Sequence, residues 1–192
     1  VRDLYIFERM TEELEAYLDS NTLIWELSNA NMPKLTLGGC LMRHNRLHVL
    51  KDSLQPAESM WLYDVAIQFN KILAERVVKT EKRAHEELHA RTGEWIRELQ
   101  RFPTYMLEGW QSYADVVDTR VVMDALTRFL QMSPYQLDQK LKAEVEMFDT
   151  NLRKRWEHGT FVWPVIWQPA YPADEYWWLY GQLKAVVEPT SV

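Results

Sequence analysis

The segment between Pro56 and Pro103 contains no further proline, and this constrains the fold more than any other feature of the sequence. Its apolar residues recur at the three- and four-residue spacing of a helix, as at Val65 and Phe69. Pro56 also fits the first turn of a helix, where its missing N–H costs nothing. The pattern predicts one helix over residues 57–102, about 69 Å long at the rise of an α-helix. A helix of that length needs antiparallel partners, so we expect a bundle with a helical-hairpin arm.

Further amphipathic segments supply those partners. Apolar residues at helical spacing predict helices over residues 3–19, 40–54, 111–131 and 134–158. No segment has the pattern of a convincing strand. The predicted fold class is therefore all-α, a helical bundle of five or six helices with one very long helix, and residues 1–158 form this bundle.

The rest of the chain, residues 159–192, begins as an aromatic and proline-rich segment. We expect it to pack on the bundle as a C-terminal wrap within a single domain, with a short helix after Pro172. Its rings either fill grooves between helices or form an exposed platform on which a partner stacks. The candidate interaction surface comprises Trp163, Trp167, Tyr171, Trp177 and Trp178.

Charge and cysteine content narrow the classes of partner. The net charge is -6, and basic residues alternate with acids, as in residues 79–83. A nucleic-acid-binding protein needs a basic excess or stripe, so we expect no nucleic-acid partner. No apolar run approaches the roughly 18 residues of a spanning helix, so we expect no membrane partner. Cys40 is the single cysteine, which excludes an internal disulfide and favours a reducing, cytoplasmic location.

Residues 85–89 form an H-E-x-x-H string, the one motif with a chemical mechanism. His85 and His89 lie about 40° apart on a helical wheel, so both could bind one zinc ion. Glu86 would then act as the general base on a zinc-bound water. Glu108 lies on the far side of Pro103 and would be the third ligand. A downstream glutamate at about that distance resembles the arrangement of gluzincin metallopeptidases, which implies hydrolysis of peptide or amide bonds.

Three features oppose this interpretation. Glu87 occupies an inner position of the string that metallopeptidases normally keep apolar. His85 and His89 lie about 95° from the centre of the helix's apolar stripe, so a metal site there would be only half covered. Most such enzymes also line their substrate cleft with a sheet, and no strand is predicted. The other interpretation is a pair of surface histidines on an exposed helix face.

Two other patterns near the middle of the sequence are weaker. His44 and His48 repeat the four-residue spacing, but a hairpin turn near residues 53–56 would hold them about 28 Å from His85. Gly38 and Gly39 precede a helix with basic residues, which is typical of either a simple turn or an anion site at a helix N-terminus. We favour the turn, because no phosphate-binding loop motif accompanies it.

No pattern in the sequence therefore establishes a catalytic site. The predicted function is a non-catalytic protein-interaction or scaffolding module without a cofactor, which binds a protein partner or associates with itself. The alternative is a zinc-dependent hydrolase, with Zn held by His85, His89 and Glu108 and with Glu86 as the catalytic base.

Overall fold

Helices dominate the chain, which confirms the all-α bundle with a C-terminal wrap. The structure is a computed structural model that describes residues 2–29, 31–108 and 113–184, with only the backbone described for residues 102–108. Six α-helices and two strands lie within these residues. Their bounds are α1 Arg2–Asp19, α2 Leu37–Val49, α3 Pro56–Glu75, α4 Val77–Glu108, α5 Tyr113–Leu130, α6 Gln139–Lys154, β1 Trp156–Phe161 and β2 Tyr180–Leu183.

The prediction of a single helix over residues 57–102 is wrong at Arg76. This residue leaves the helical conformation (φ −127°, ψ 37°) and separates α3 from α4. Its guanidinium forms ion pairs with Glu15 and with Asp19 of α1, the second at 3.5 Å. Neither glycine nor proline marks this break in the sequence, so contacts with α1 hold it in place. Beyond it α4 continues through Pro103, where the sequence predicted an end.

The core lies where α1, α2, α4 and α5 meet. Phe7 and Leu14 of α1, Leu88 and Trp95 of α4, and Val117 of α5 are fully buried. The helix α5 packs against both α2 and α4 and is buried on more than one side. Its buried polar residues, Thr119 and Arg120, therefore need partners within the protein.

The chain after α6 contains a short antiparallel pair of strands, β1 and β2, that the sequence did not predict. The helix expected to reach residue 158 ends at Lys154, and Gly159 lies in β1. Gly181 has a φ of +144°, and a Cβ atom there would lie 2.1 Å from the carbonyl oxygen of Glu157. The close pairing of the strands therefore requires glycine at this position. The helix expected after Pro172 is a single 3₁₀ turn over Trp177–Leu179.

Candidate functional site

A large apolar groove lies between α2, α3 and α5 and is bordered by the C-terminal segment. It encloses about 1060 Å³, which is at the upper end of the range of small-molecule pockets. The side chains lining it are mainly aliphatic and aromatic, and they include Leu41, Leu62, Ala66, Phe69, Ala125 and Phe129. The helix α3 packs on α1 and α5 packs on α2, so a space remains between α3 and α5.

One wall of the groove belongs to the solvent face of α3, where three large apolar side chains are exposed. Met60, Tyr63 and Ile67 are 70%, 66% and 51% exposed, and we call these three residues the apolar ridge. Tyr63 and Ile67 also line the groove. Their spacing places them on one face of the helix. Asp64 is the only charged residue from 59 to 70. The helix α3 is thus apolar on its buried face and again on its exposed face.

His44 forms part of the groove as an aromatic ring. Its centroid lies 5.6 Å from that of Phe7 and 5.2 Å from that of Phe69. The ring of His48 stacks on it at 6.3 Å. Burial lowers the pKa of His44, and the neighbouring His48 lowers it further. The imidazole is therefore neutral at neutral pH, so His44 adds no charge to this wall of the groove.

Charged residues also line the groove, and two of them, Arg46 and Arg128, form ion pairs within the protein. Arg128 pairs with Asp124 at 2.7 Å and with Glu175 at 2.9 Å. Arg46 is buried against Asp3 at 2.7 Å. Cys40 lies on the same helix and is no nucleophile, because burial raises the pKa of its thiol to about 12. The groove is therefore suited to binding apolar surface and holds no recognisable catalytic constellation among the described residues.

The histidines of the H-E-x-x-H string lie about one helical turn apart beside the start of α6. His85 Nδ1 lies 3.0 Å from the carbonyl oxygen of Glu81, and Nε2 lies 3.3 Å from the backbone nitrogen of Asp138. These contacts fit a neutral ring in which Nδ1–H donates to the carbonyl and Nε2 accepts from the backbone N–H. The ring thus helps to hold the residue that caps α6. The lone pair that a zinc ion would need is already engaged.

The remaining described ligand of the proposed zinc site, His89, has no third ligand beside it among the described residues. His89 is exposed and lines a shallow depression with Glu81, Asp138 and Glu144. The side chain of Glu108 lies outside the described residues. Within the described residues, no group of three or more His, Cys, Asp or Glu side chains is arranged to hold a metal ion. The described donors therefore do not fit a resident zinc ion.

The two glutamates of the string have different surroundings. Glu86, the proposed general base, is exposed and lies 3.8 Å from both Lys82 and Arg83. Glu87 is only 3% exposed, and its carboxylate accepts a hydrogen bond of 2.8 Å from the backbone N–H of Gly38. Burial raises the pKa of Glu87, although Arg91 at 3.4 Å acts in the opposite direction. The inner position of the string is therefore a structural carboxylate.

This carboxylate fills the anion site that the two glycines suggested. The first-turn N–H groups of α2 have no partners within their own helix and need others. The N–H of Leu37 donates to the hydroxyl of Tyr17, that of Gly38 to Glu87, and that of Gly39 to the hydroxyl of Thr36. A side chain of the protein thus occupies the place where a bound phosphate would lie.

The five aromatic residues of the predicted interaction surface all contact the protein itself. Tyr171 and Trp178 are each 3% exposed and belong to the interior, so the surface loses these two rings. The other three are half-buried. Trp163 donates to the carbonyl oxygen of Ala114 at 3.0 Å, Trp167 lies 3.9 Å from the guanidinium of Arg46, and Trp177 lies 4.5 Å from that of Arg153.

The groove and the apolar ridge were not predicted from the sequence. The sequence does contain a signal for them, because α3 has apolar residues on more of its circumference than one buried stripe requires. Met60, Tyr63 and Ile67 lie outside the stripe of Val65 and Phe69.

Comparisons of the chain with protein-family models, with curated proteins and with solved structures found no match. In the described part of the chain, no helix combines the length and the apolar character needed to cross a bilayer. Function must therefore be argued from the site itself.

Proposed function

We propose that this protein is a non-catalytic protein-interaction module whose interface is the groove together with the apolar ridge. The observation that carries the proposal is the exposure of the apolar ridge, of which Tyr63 and Ile67 line the groove itself. Apolar side chains that are exposed next to one another are costly in water, and such patches mark interaction sites in monomeric proteins. The proposal includes a cytoplasmic location and no nucleic-acid partner. The net charge of -6 favours the second of these.

The best-fitting occupant is an amphipathic helix. The groove lies between three helices, and a further helix laid along it would bury its own apolar face against α2, α3 and α5. Ala66 and Ala125 line the groove with small side chains, so the backbone of such a helix could approach closely. The uncharged rings of His44 and Phe69 favour burial of aliphatic residues over charged ones.

A displayed library of helical peptides tests this proposal. Binders selected on the wild-type protein are measured again on Ala66→Trp, in which an indole fills the groove. Ala90→Trp is the matched control, because Ala90 is exposed on α4 and lies away from the groove. We expect enrichment of amphipathic helices whose binding Ala66→Trp weakens at least about tenfold and Ala90→Trp leaves unchanged. A library without enrichment, or binders that ignore Ala66→Trp, would contradict the proposal.

A further inference from the structure

We infer that the partner helix is α3 of a second copy of this chain, paired in antiparallel orientation about Ile67. The inference rests on the proposed function, because it uses the same apolar ridge and groove. It names the occupant and the orientation in which that occupant lies.

The composition of the exposed face of α3 favours packing against a second copy of the same helix. Asn70 and Ala74 continue the face of Met60, Tyr63 and Ile67 by further helical turns, and both are exposed. This face is a narrow apolar strip with a small residue near its C-terminal end. Two such strips can pack closely against each other, since helices approach best where side chains are apolar or short. Pairing would also withdraw the apolar ridge of each copy from water.

The charges beside this strip are complementary in an antiparallel pair. Asp64 and Lys71 lie along the same edge of the strip, Asp64 about one turn before Ile67 and Lys71 about one turn after it. In an antiparallel pair centred on Ile67, Asp64 of one copy lies opposite Asn70 and Lys71 of the other, and symmetry repeats the contact. A parallel pair would instead hold Asp64 level with Asp64 and Lys71 level with Lys71, so neither charge would meet an opposite one. Asp64 forms no ion pair among the described residues, and Lys71 has only a loose contact of 3.9 Å with Glu75.

A pairing of α3 with α3 also forms a closed assembly. A twofold pairing uses the same surface on both copies and therefore ends at a dimer. The ridge and the groove lie side by side on this surface, because Tyr63 and Ile67 belong to both. A twofold axis near Ile67 therefore brings the ridge of each copy to the mouth of the other copy's groove. The apolar ridge of one copy is thus complementary to the groove of the other.

Sedimentation equilibrium of the full chain tests the inference directly. Over loading concentrations from about 1 µM to about 1 mM, we expect the wild-type mass to rise from 22.9 kDa toward twice that value. Asp64→Lys and Lys71→Asp each turn the two cross-copy attractions into repulsions. Each single variant should therefore dimerise at least about tenfold more weakly than the wild type. The exchanged double variant Asp64→Lys with Lys71→Asp should regain the wild-type affinity.

Mixing the two single variants adds a test that loss of folding cannot imitate. One variant has lysine at both positions and the other has aspartate at both, so each repels its own kind and attracts the other. We expect an equimolar mixture to form heterodimers at concentrations where each variant alone is monomeric. A dimer that ignores these changes, or a mixture that stays monomeric while the wild type dimerises, would overturn the antiparallel pairing.

A wild-type protein that stays monomeric throughout the concentration range would also overturn the inference. This result would not by itself contradict the proposed function, because the peptide library tests binding at the groove independently. A monomer that enriches helical binders sensitive to Ala66→Trp has a foreign protein as its partner. A monomer that enriches none contradicts both proposals.

Discussion

The carboxylate of Glu87 accepts a hydrogen bond of 2.8 Å from the backbone N–H of Gly38, and this contact joins the middle of α4 to the first turn of α2. A buried acid in this position costs free energy to ionise, and the hydrogen bond and Arg91 offset part of that cost. Burial raises the pKa of Glu87 and this contact lowers it, and the resulting pKa determines how the contribution of Glu87 to stability depends on pH.

Glu87→Gln should remove a specific pH dependence of folding. Burial raises the pKa of Glu87 above its ordinary value of 4.5, so the folded state binds the proton more tightly than the unfolded state does. The contribution of Glu87 to stability is therefore full below pH 4.5 and is lost as the pH rises through the raised pKa. The unfolding free energy of the wild type relative to Glu87→Gln should decline from pH 4.5 toward neutrality, as measured by urea denaturation.

The neighbouring Glu86→Gln is the matched control for this measurement. It removes the same charge at an exposed position, one residue away on the same helix. Parallel stability profiles of the wild type and Glu87→Gln would show that Glu87 does not titrate abnormally.

Gly38→Ala should destabilise the protein. A Cβ atom at Gly38 would lie 2.5 Å from Cγ1 of Val122 and 2.9 Å from Cδ1 of Leu126, so α2 and α5 would have to separate. Overpacking of this kind costs about 1–3 kcal/mol. At Gly93 the nearest atom would be Nη1 of Arg97 at 3.5 Å, so Gly93→Ala should stabilise α4 by about 0.5–1 kcal/mol. Thermal unfolding of the two variants should give shifts of opposite sign, and equal shifts would contradict the packing described for Gly38.

His44→Phe should remove a loss of stability in acid. Burial lowers the pKa of His44 below 6.5, so the unfolded state binds the proton more tightly. The contribution of His44 to stability is present above pH 6.5 and is lost as the pH falls through the lowered pKa. Relative to His44→Phe, the wild type should lose unfolding free energy as the pH falls below 6.5. The variant His89→Gln, at an exposed position, should follow the wild type, and a His44→Phe profile parallel to the wild type would contradict the prediction.

His85→Ala and His89→Ala distinguish a structural histidine from a zinc ligand. Because the ring of His85 binds the backbone N–H of Asp138, its removal should lower stability by about 1 kcal/mol. The exposed His89 should matter little. We expect chemical denaturation to show this asymmetry with or without added zinc, and elemental analysis to find no stoichiometric metal. One zinc per chain that both variants lose would support the hydrolase alternative instead.

The sequence predicted most of the helices because their apolar spacing is regular, but it could not locate the break at Arg76. The local sequence there continues the helix, and the ion pairs with Glu15 and Asp19 become visible only when α1 is in place. The pairing of β1 with β2 was missed for a related reason. Its strands are short, and the signal at Gly181 is a positive φ that spacing does not reveal.

The candidate site was less accessible to sequence reasoning than the fold. The motif with a chemical mechanism drew attention to residues 85–89, whereas the groove is lined by ordinary core residue types from three helices. Glu87 was recognised as unusual for a metallopeptidase, but its partner Gly38 lies far away in the sequence and could not be assigned. Sequence spacing reports on one helix at a time, and the groove belongs to the space between helices.

His85 and Glu87 stand two residues apart on α4 and bind backbone groups at the starts of α6 and α2 respectively. A rotation or a one-residue slip of α4 at this point would release both contacts together. The register of α4 therefore couples the positions of two helices that follow different paths through the fold. Since α2 lines the groove, a displacement of α4 that alters the start of α6 would also act on one wall of the groove.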